Sequence, residues 1–189
     1  AANSSYTTPA TSASDSGATF RCVVSNSQGS VTSNSAILKV LSTPPAPEVT
    51  FFYGKNQSFG QNGIPQKYIN ILGNVTDANG GVASLTYSLN GGPSISLSMG
   101  PDTRRLASAG DFNCDIPFSS LVNGTNEVVV VATNTAAMTK RDTVTVNYSA
   151  GNTWPLPTTV NWSGASSIQN VAQVVDGQWS LGGGVVRPM

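Results

Sequence analysis

Along most of the chain apolar residues recur at every second position, in short runs separated by Gly, Asn, Ser and Pro. That spacing puts one side of each run on a buried face and the other toward water, as half-buried strands require. Phe20, Cys22 and Val24 alternate, and after a turn at 26–29 so do Ala36, Leu38 and Val40. Val49, Phe51 and Tyr53 open a second series; Ile69, Ile71 and Val75 continue it, with the spacing broken at Gly73. Leu85, Tyr87 and Leu89 lead through Asn90-Gly91-Gly92 to Ile95, Leu97 and Met99, and an Asn-Gly turn between alternating runs is a strong hairpin signal. Three more runs complete the set: Phe112, Cys114 and Ile116; Val128, Val130 and Ala132; Val144, Val146 and Tyr148. No window carries apolar residues at helical spacing for three turns, and the one helical-looking stretch, 166–175, is short. The expected class is all-β, with helix confined to single turns.

Pro44, Pro45 and Pro47 form a stiff, extended break, and a second break at 149–157 carries Gly151, Pro155 and Pro157. The expected pieces are therefore 1–43, a linker at 44–47, a complete domain at 48–148, and 149–189 as a linker and the start of a further β domain. Seven strands in residues 48–148 suit a Greek-key sandwich. The segment 128–132 is uncharged, β-prone and free of Pro. Apolar side chains on both its faces predict a central strand covered on both sides.

Asp15-Ser16-Gly17-Ala18-Thr19-Phe20-Arg21-Cys22 resembles strand F of an immunoglobulin-like domain, D-x-G-x-x-[YF]-x-C. In that family an aromatic residue two before the Cys forms the tyrosine corner, and the Cys bonds to strand B. Phe20 takes the Tyr position, so only the packing half of the corner is kept. The resemblance implies a structural disulfide at Cys22 whose partner would precede residue 1, and hence that 1–43 is the tail of such a domain. Two or three strands without a facing sheet cannot bury a core, so this piece is expected to be poorly ordered alone. Residues 121–134, with Leu121, Gly124, Asn126, Val128, Val130, Ala132 and Asn134, resemble the L-x-x-G-x-N-x-V-x-V-x-A-x-D pattern of bacterial immunoglobulin-like and cadherin-like repeats. Asn134 stands where many relatives carry Asp, which argues against calcium at that turn. Val174-Val175-Asp176-Gly177-Gln178-Trp179-Ser180-Leu181, followed by Gly182-Gly183-Gly184, is similar to the opening strands of a concanavalin A-like (laminin-G-like) domain. Together these resemblances imply a tandem immunoglobulin-like β-sandwich, one partial and one complete, with a partial third β domain.

Composition narrows the chemistry. Nine Lys or Arg balance nine Asp or Glu, so no electrostatic footprint for nucleic acid is present. No apolar stretch approaches the roughly 18 residues of a membrane-spanning helix. The absence of His removes the commonest general base and metal ligand. Cys22 and Cys114 fall in different expected domains, and Cys114, between Asn113 and Asp115, lacks the basic neighbour a nucleophilic thiolate needs. It reads as a small buried hydrophobe. Asp77-Ala78-Asn79-Gly80 offers two oxygen-bearing side chains in one turn, which reads first as an Asx turn and second as a calcium ligand set. No other cofactor is expected.

The loop Gly100-Pro101-Asp102-Thr103-Arg104-Arg105-Leu106 sets two guanidiniums side by side, a pair able to clamp an anionic group. The competing reading pairs one of them with Asp102 or Asp111 and leaves the other solvated. Trp154, Trp162 and Trp179 all lie late in the chain, where an exposed indole face would stack on a sugar. Trp179, inside an alternating run, reads first as core. Arg104, Arg105, Trp162 and Trp179 are thus the candidate ligand-binding residues. The expected role is a non-enzymatic spacer of a large secreted or cell-surface bacterial protein, presenting a following domain, with a glycan or a surface protein as partner. The alternatives are a carbohydrate-binding module and an accessory region of a secreted glycoside hydrolase.

Overall fold

A computed structural model describes residues 5–41, 43–78 and 80–189, in two compact units, one ending at Pro44 and the other spanning Pro45–Met189. Asn79 of the turn weighed for calcium lies outside the described residues, and among these no group of three or more Cys, Asp or Glu side chains is placed to hold a metal ion. No described helix is long and apolar enough to cross a membrane.

The first unit is a hairpin. After a 3-10 turn, Ala13–Asp15, come β1 (Thr19–Phe20), β2 (Val23–Asn26), β3 (Gly29–Thr32) and β4 (Ala36–Ile37). Phe20 pairs with Ala36 and Val24 with Val31, so the strands form one long antiparallel ladder interrupted at residues 21–22. Serine side chains bridge the interruption: the Cys22 amide donates to Ser33 Oγ at 2.9 Å and Arg21 Nε to Ser35 Oγ at 2.8 Å. The ladder keeps the expected turn after Asn26 but differs in its strands: Cys22, Leu38 and Val40 lie outside them, and Gly29–Thr32 pairs where no alternation was read. Val24 is 67% and Ile37 72% exposed, and Cys22 is an exposed free thiol. Hydrogen bonds alone give a hairpin marginal stability. Cys22 should therefore react with a water-soluble disulfide reagent within seconds in native buffer, and Cys114 only after unfolding. Equal rates for the two thiols would contradict the burial described here.

The second unit contains an immunoglobulin-like sandwich. Its strands are β5 (Glu48–Phe51), β6 (Asn56–Phe59), β7 (Tyr68–Thr76), β8 (Val82–Leu89), β9 (Ile95–Ser96), β10 (Asp111–Pro117), β11 (Gly124–Asn134) and β12 (Thr139–Tyr148). One sheet has the order β10-β7-β5, the other β6-β12-β11-β8-β9. Every pairing is antiparallel except β6 with β12. The division follows the immunoglobulin plan, with β5, β7 and β10 in one sheet facing β8, β11 and β12 in the other. Between them lie Phe51, Ile69, Ile71, Phe112, Cys114, Val128, Val130, Val144 and Val146, all inward by the period-two rule. The segment 128–132 lies in β11, central in its sheet between β12 and β8, with Val129 buried as well as Val128 and Val130. Among the described residues no α-helix occurs, and 166–175 contains only the 3-10 turn Ile168–Asn170.

Three features differ from the alternation read in the sequence. β6 is an eighth strand, hidden because one of its two inward residues, beside Phe59, is the polar Gln57, fully buried and donating to the Gly54 carbonyl. β9 stops at Ser96, although Leu97 and Met99 still pack on the core. The third concerns the outer face of the three-stranded sheet. Leu72 points away from the sandwich interior and is 2% exposed, buried with Ile168 and Val174 and flanked by Trp162, Leu181 and Val186. Residues 149–189 thus belong to the same compact unit as the sandwich. They end in a two-stranded sheet, β13 (Trp179–Gly182) with β14 (Val185–Pro188). The Pro-rich break is fastened as well: Pro47 is buried, and the Pro45 carbonyl accepts from Asn134 Nδ2 at 3.0 Å.

Candidate functional site

The loop between β9 and β10 is tied at its root and at its tip. Gly100 and Asp111 close the root, the Gly100 amide donating to the Asp111 carbonyl at 2.8 Å. Gly110 is required there: its φ is +80°, and a Cβ would stand 2.0 Å from the Val75 carbonyl oxygen. Leu106, 7% exposed, anchors the loop. Asp102 organises the tip, its Oδ1 accepting from the amides of Arg104, Arg105 and Leu106 at 2.7–2.9 Å. Amide donation, from Leu106 and Arg104 foremost, holds this carboxyl below its ordinary 3.8. The stabilisation is present above that value and lost as the pH falls below it. Asp111 is similarly committed, accepting from the Ser108 amide and from Asn74 Nδ2, both at 2.8 Å. Both carboxylates thus serve as hydrogen-bond acceptors that hold the loop's shape.

Arg105 and Arg104 have separate fates. Arg105 forks onto Asp115 with Nη1 to Oδ2 at 2.9 Å and Nη2 to Oδ1 at 3.0 Å, and Nη2 also reaches the Val175 carbonyl at 3.1 Å. One arginine is paired, as the competing reading held, but with Asp115; Asp102 is taken by backbone amides and Asp111 by the Ser108 amide and the Asn74 side chain. Arg104 keeps its guanidinium exposed and unpaired among the described residues.

Across from this loop stands Asp176-Gly177-Gln178-Trp179. Gly177 takes φ +68° to make the turn. Tyr53 Oη then locks it, donating to the Gly177 carbonyl at 3.1 Å and accepting from the Trp179 amide at 3.0 Å. Burial raises the Tyr53 phenol above 10.0, partly offset by that amide, so it stays a donor at neutral pH. The indole Nε1 of Trp179 donates to the Asp176 carbonyl at 2.8 Å, which fixes the ring while leaving the residue 40% exposed. Trp179 is therefore a rim residue and not the core residue its alternating run suggested.

Loop and turn enclose a cleft of about 800 Å³, lined by Phe52 and Leu72 as well as by Asp102, Arg104, Arg105, Asp176, Gln178 and Trp179. Three of the four candidate residues, Arg104, Arg105 and Trp179, meet there. Trp162 does not: it is half-buried in the apolar cluster around Leu72. Phe52 carried no signal in the sequence, and Asp176 entered only as part of the Val174–Leu181 resemblance and not as a site residue. Cys22 is a free thiol in the first unit, and Cys114 is fully buried, its thiol pushed far up by burial and by the neighbouring Asp115.

No described protein family matches the sequence, and no curated protein does. Solved structures do match. An endo-beta-1,4-mannanase from Thermotoga petrophila is similar at 11% identity and a TM-score of 0.42, over 57% of this chain and 20% of that one. The fibronectin(III)-like modules of CbhA from Clostridium thermocellum are similar at 17% identity and a TM-score of 0.37, over 74% of this chain and 64% of theirs. The chain thus spans a fifth of the first and under two thirds of the second.

Proposed function

We propose that the chain is a non-catalytic, immunoglobulin-like spacer of a secreted or cell-surface protein, holding the segment after the sandwich in a fixed orientation. The observation that carries this reading is the fastening of 149–189 along the sandwich. Gln61 and Asn62 donate to the carbonyls of Gln169 and Asn170 at 2.8 and 2.6 Å. Gln169 Nε2 donates to buried Gln57 Oε1, and Gln173 Nε2 to the Tyr68 carbonyl, at 2.8 and 2.7 Å. The Tyr53 and Arg105 bonds extend the seam to the turn before β13. Leu72, Ile168 and Val174 seal it with apolar surface. A flexible tether needs none of this, whereas a rigid connector needs a seam with apolar area and directional hydrogen bonds, which this one has although Gln61 Oε1 is buried without a partner among the described residues.

Limited proteolysis tests the reading. The hairpin unit should be trimmed first, and nicks in the exposed stretch 150–159 should leave the two parts of the Pro45–Met189 unit eluting together on gel filtration. Release of the C-terminal part as a free peptide after such a nick would overturn the proposal.

A further inference from the structure

The spacer reading leaves the cleft between the 100–110 loop and the turn before β13 without a task. We propose that this cleft binds a neutral oligosaccharide, with Trp179 as the stacking platform and the Arg104 guanidinium as a donor to the sugar's oxygens. The proposal goes beyond the spacer function but rests on the same docking of 149–189, since Trp179 is carried by that segment.

Four observations carry it. The first is size: about 800 Å³ lies within the roughly 300–1,000 Å³ of ligand clefts. The second is the indole, whose N–H is spent on the Asp176 carbonyl at 2.8 Å and whose backbone is pinned by Tyr53. A pinned ring at 40% exposure offers an apolar face at little further entropic cost. Sugar rings present such a face of C–H groups, edged by hydroxyls. The third is the placing of polar groups around that platform. Arg104 has a free guanidinium, Gln178 an amide, and the walls add Asp176 and Ser108, a set of donors and acceptors suited to hydroxyls. The fourth is charge. Asp102, Asp111 and Asp176 face Arg104 and Arg105, three carboxylates against two guanidiniums, so a polyanion gains nothing from the field of this cleft. Stacking of nucleic acid calls for basic residues interleaved with aromatic ones, and these are lacking here.

The test is titration of the whole chain, by calorimetry and Trp fluorescence, with cellopentaose, mannopentaose and xylopentaose. Oligogalacturonate and a heparin hexasaccharide form a separate arm. At least one neutral oligomer should bind and shield a Trp from acrylamide quenching. Trp179→Ala should weaken it about tenfold or more, as truncating an interfacial aromatic anchor does. Arg104→Ala, at an exposed position, should weaken it severalfold with an unchanged far-ultraviolet spectrum. Trp179→Phe, which keeps an aromatic face, should retain most of the affinity and so separates stacking from folding. Failure of every neutral oligomer to bind, tighter binding of the acidic oligomers, or wild-type affinity in both alanine variants would each overturn the proposal. The proteolysis outcome is independent: intact docking with no binding sinks the cleft and spares the spacer.

Discussion

Phe112→Ala should lower the unfolding free energy of the Pro45–Met189 unit by about 3–5 kcal/mol. Phe112 is fully buried between the two sheets and meets Phe51 edge-on, with ring centroids 6.1 Å apart at 87°. Its ring occupies space that the facing position on β7 leaves free because that position is Gly73, where a Cβ would stand 2.6 Å from Phe112 Cζ. Truncation therefore opens a cavity that the glycine opposite has no side chain to fill, and it removes an aromatic pair contributing about 0.5–1.5 kcal/mol beyond area burial. Against a domain stability of about 5–15 kcal/mol, the loss is a large fraction of the whole. Urea unfolding should show a lower midpoint at an unchanged slope. Because Leu72, on the same strand as Gly73, supports the C-terminal segment, Trp fluorescence and far-ultraviolet signal should move in one transition. A loss under about 1 kcal/mol, or a Trp transition that separates from the backbone signal, would show that the two faces of β7 are not coupled as described.

How much of this was legible in the sequence depended on which side of a strand a residue served. Ile69, Ile71, Phe112, Cys114, Val128, Val130, Val144 and Val146 announce themselves by period two, since one face of each sheet is buried against the other. Gln57 is as buried as they are, but its amide is satisfied by Gly54 and Gln169, and a polar residue on the inner face erases the alternation that marks a strand. Leu72 went unread in the sequence, an apolar residue on the face that alternation assigns to water. Its partners lie about a hundred positions later, and no local pattern encodes that pairing. The cleft shows the same limit. Arg104 and Arg105 were conspicuous as a pair and Trp179 as an aromatic, yet their meeting depends on the docking that Leu72 and Tyr53 direct, and Arg105's choice of Asp115 depends on Asp102 and Asp111 being taken. In the first unit the alternation marked Phe20, Val24 and Ala36 but missed Gly29–Thr32, whose residues bury nothing and so leave no period to read.

Asn126→Ala should cost the same unit about 2–4 kcal/mol, an effect nearly as large as that of a core aromatic although the residue is polar. The repeat-like pattern around β11 makes structural sense residue by residue. Leu121 is buried, Gly124 turns at φ +96°, and Asn126, 1% exposed, sits where two turns meet. Its Oδ1 accepts from the Val122 amide and from Asn90 Nδ2, each at 2.9 Å. Its Nδ2 donates to the carbonyls of Val122 and Gly124 at 2.8 and 3.2 Å. Asn90 passes the connection on, its own Oδ1 accepting from the Glu127 amide at 2.8 Å while it holds φ +50° at the β8–β9 turn. Alanine leaves two donors and two acceptors to find water at the end of the sandwich, at about 0.5–1.5 kcal/mol each. Asn126→Asp is the more discriminating variant. It keeps both acceptor bonds but replaces the donating amide with a carboxylate set against two carbonyl oxygens in a buried place, so its folded-state pKa must rise above the unfolded value of about 3.9. A raised carboxyl pKa gives stability that is greatest below the unfolded value and lost as the pH rises through the folded one. The aspartate variant should therefore approach the wild type near pH 4 and fall progressively behind it toward pH 7. A deficit independent of pH would mean that the amide's donation to Val122 and Gly124 does not hold the two turns together.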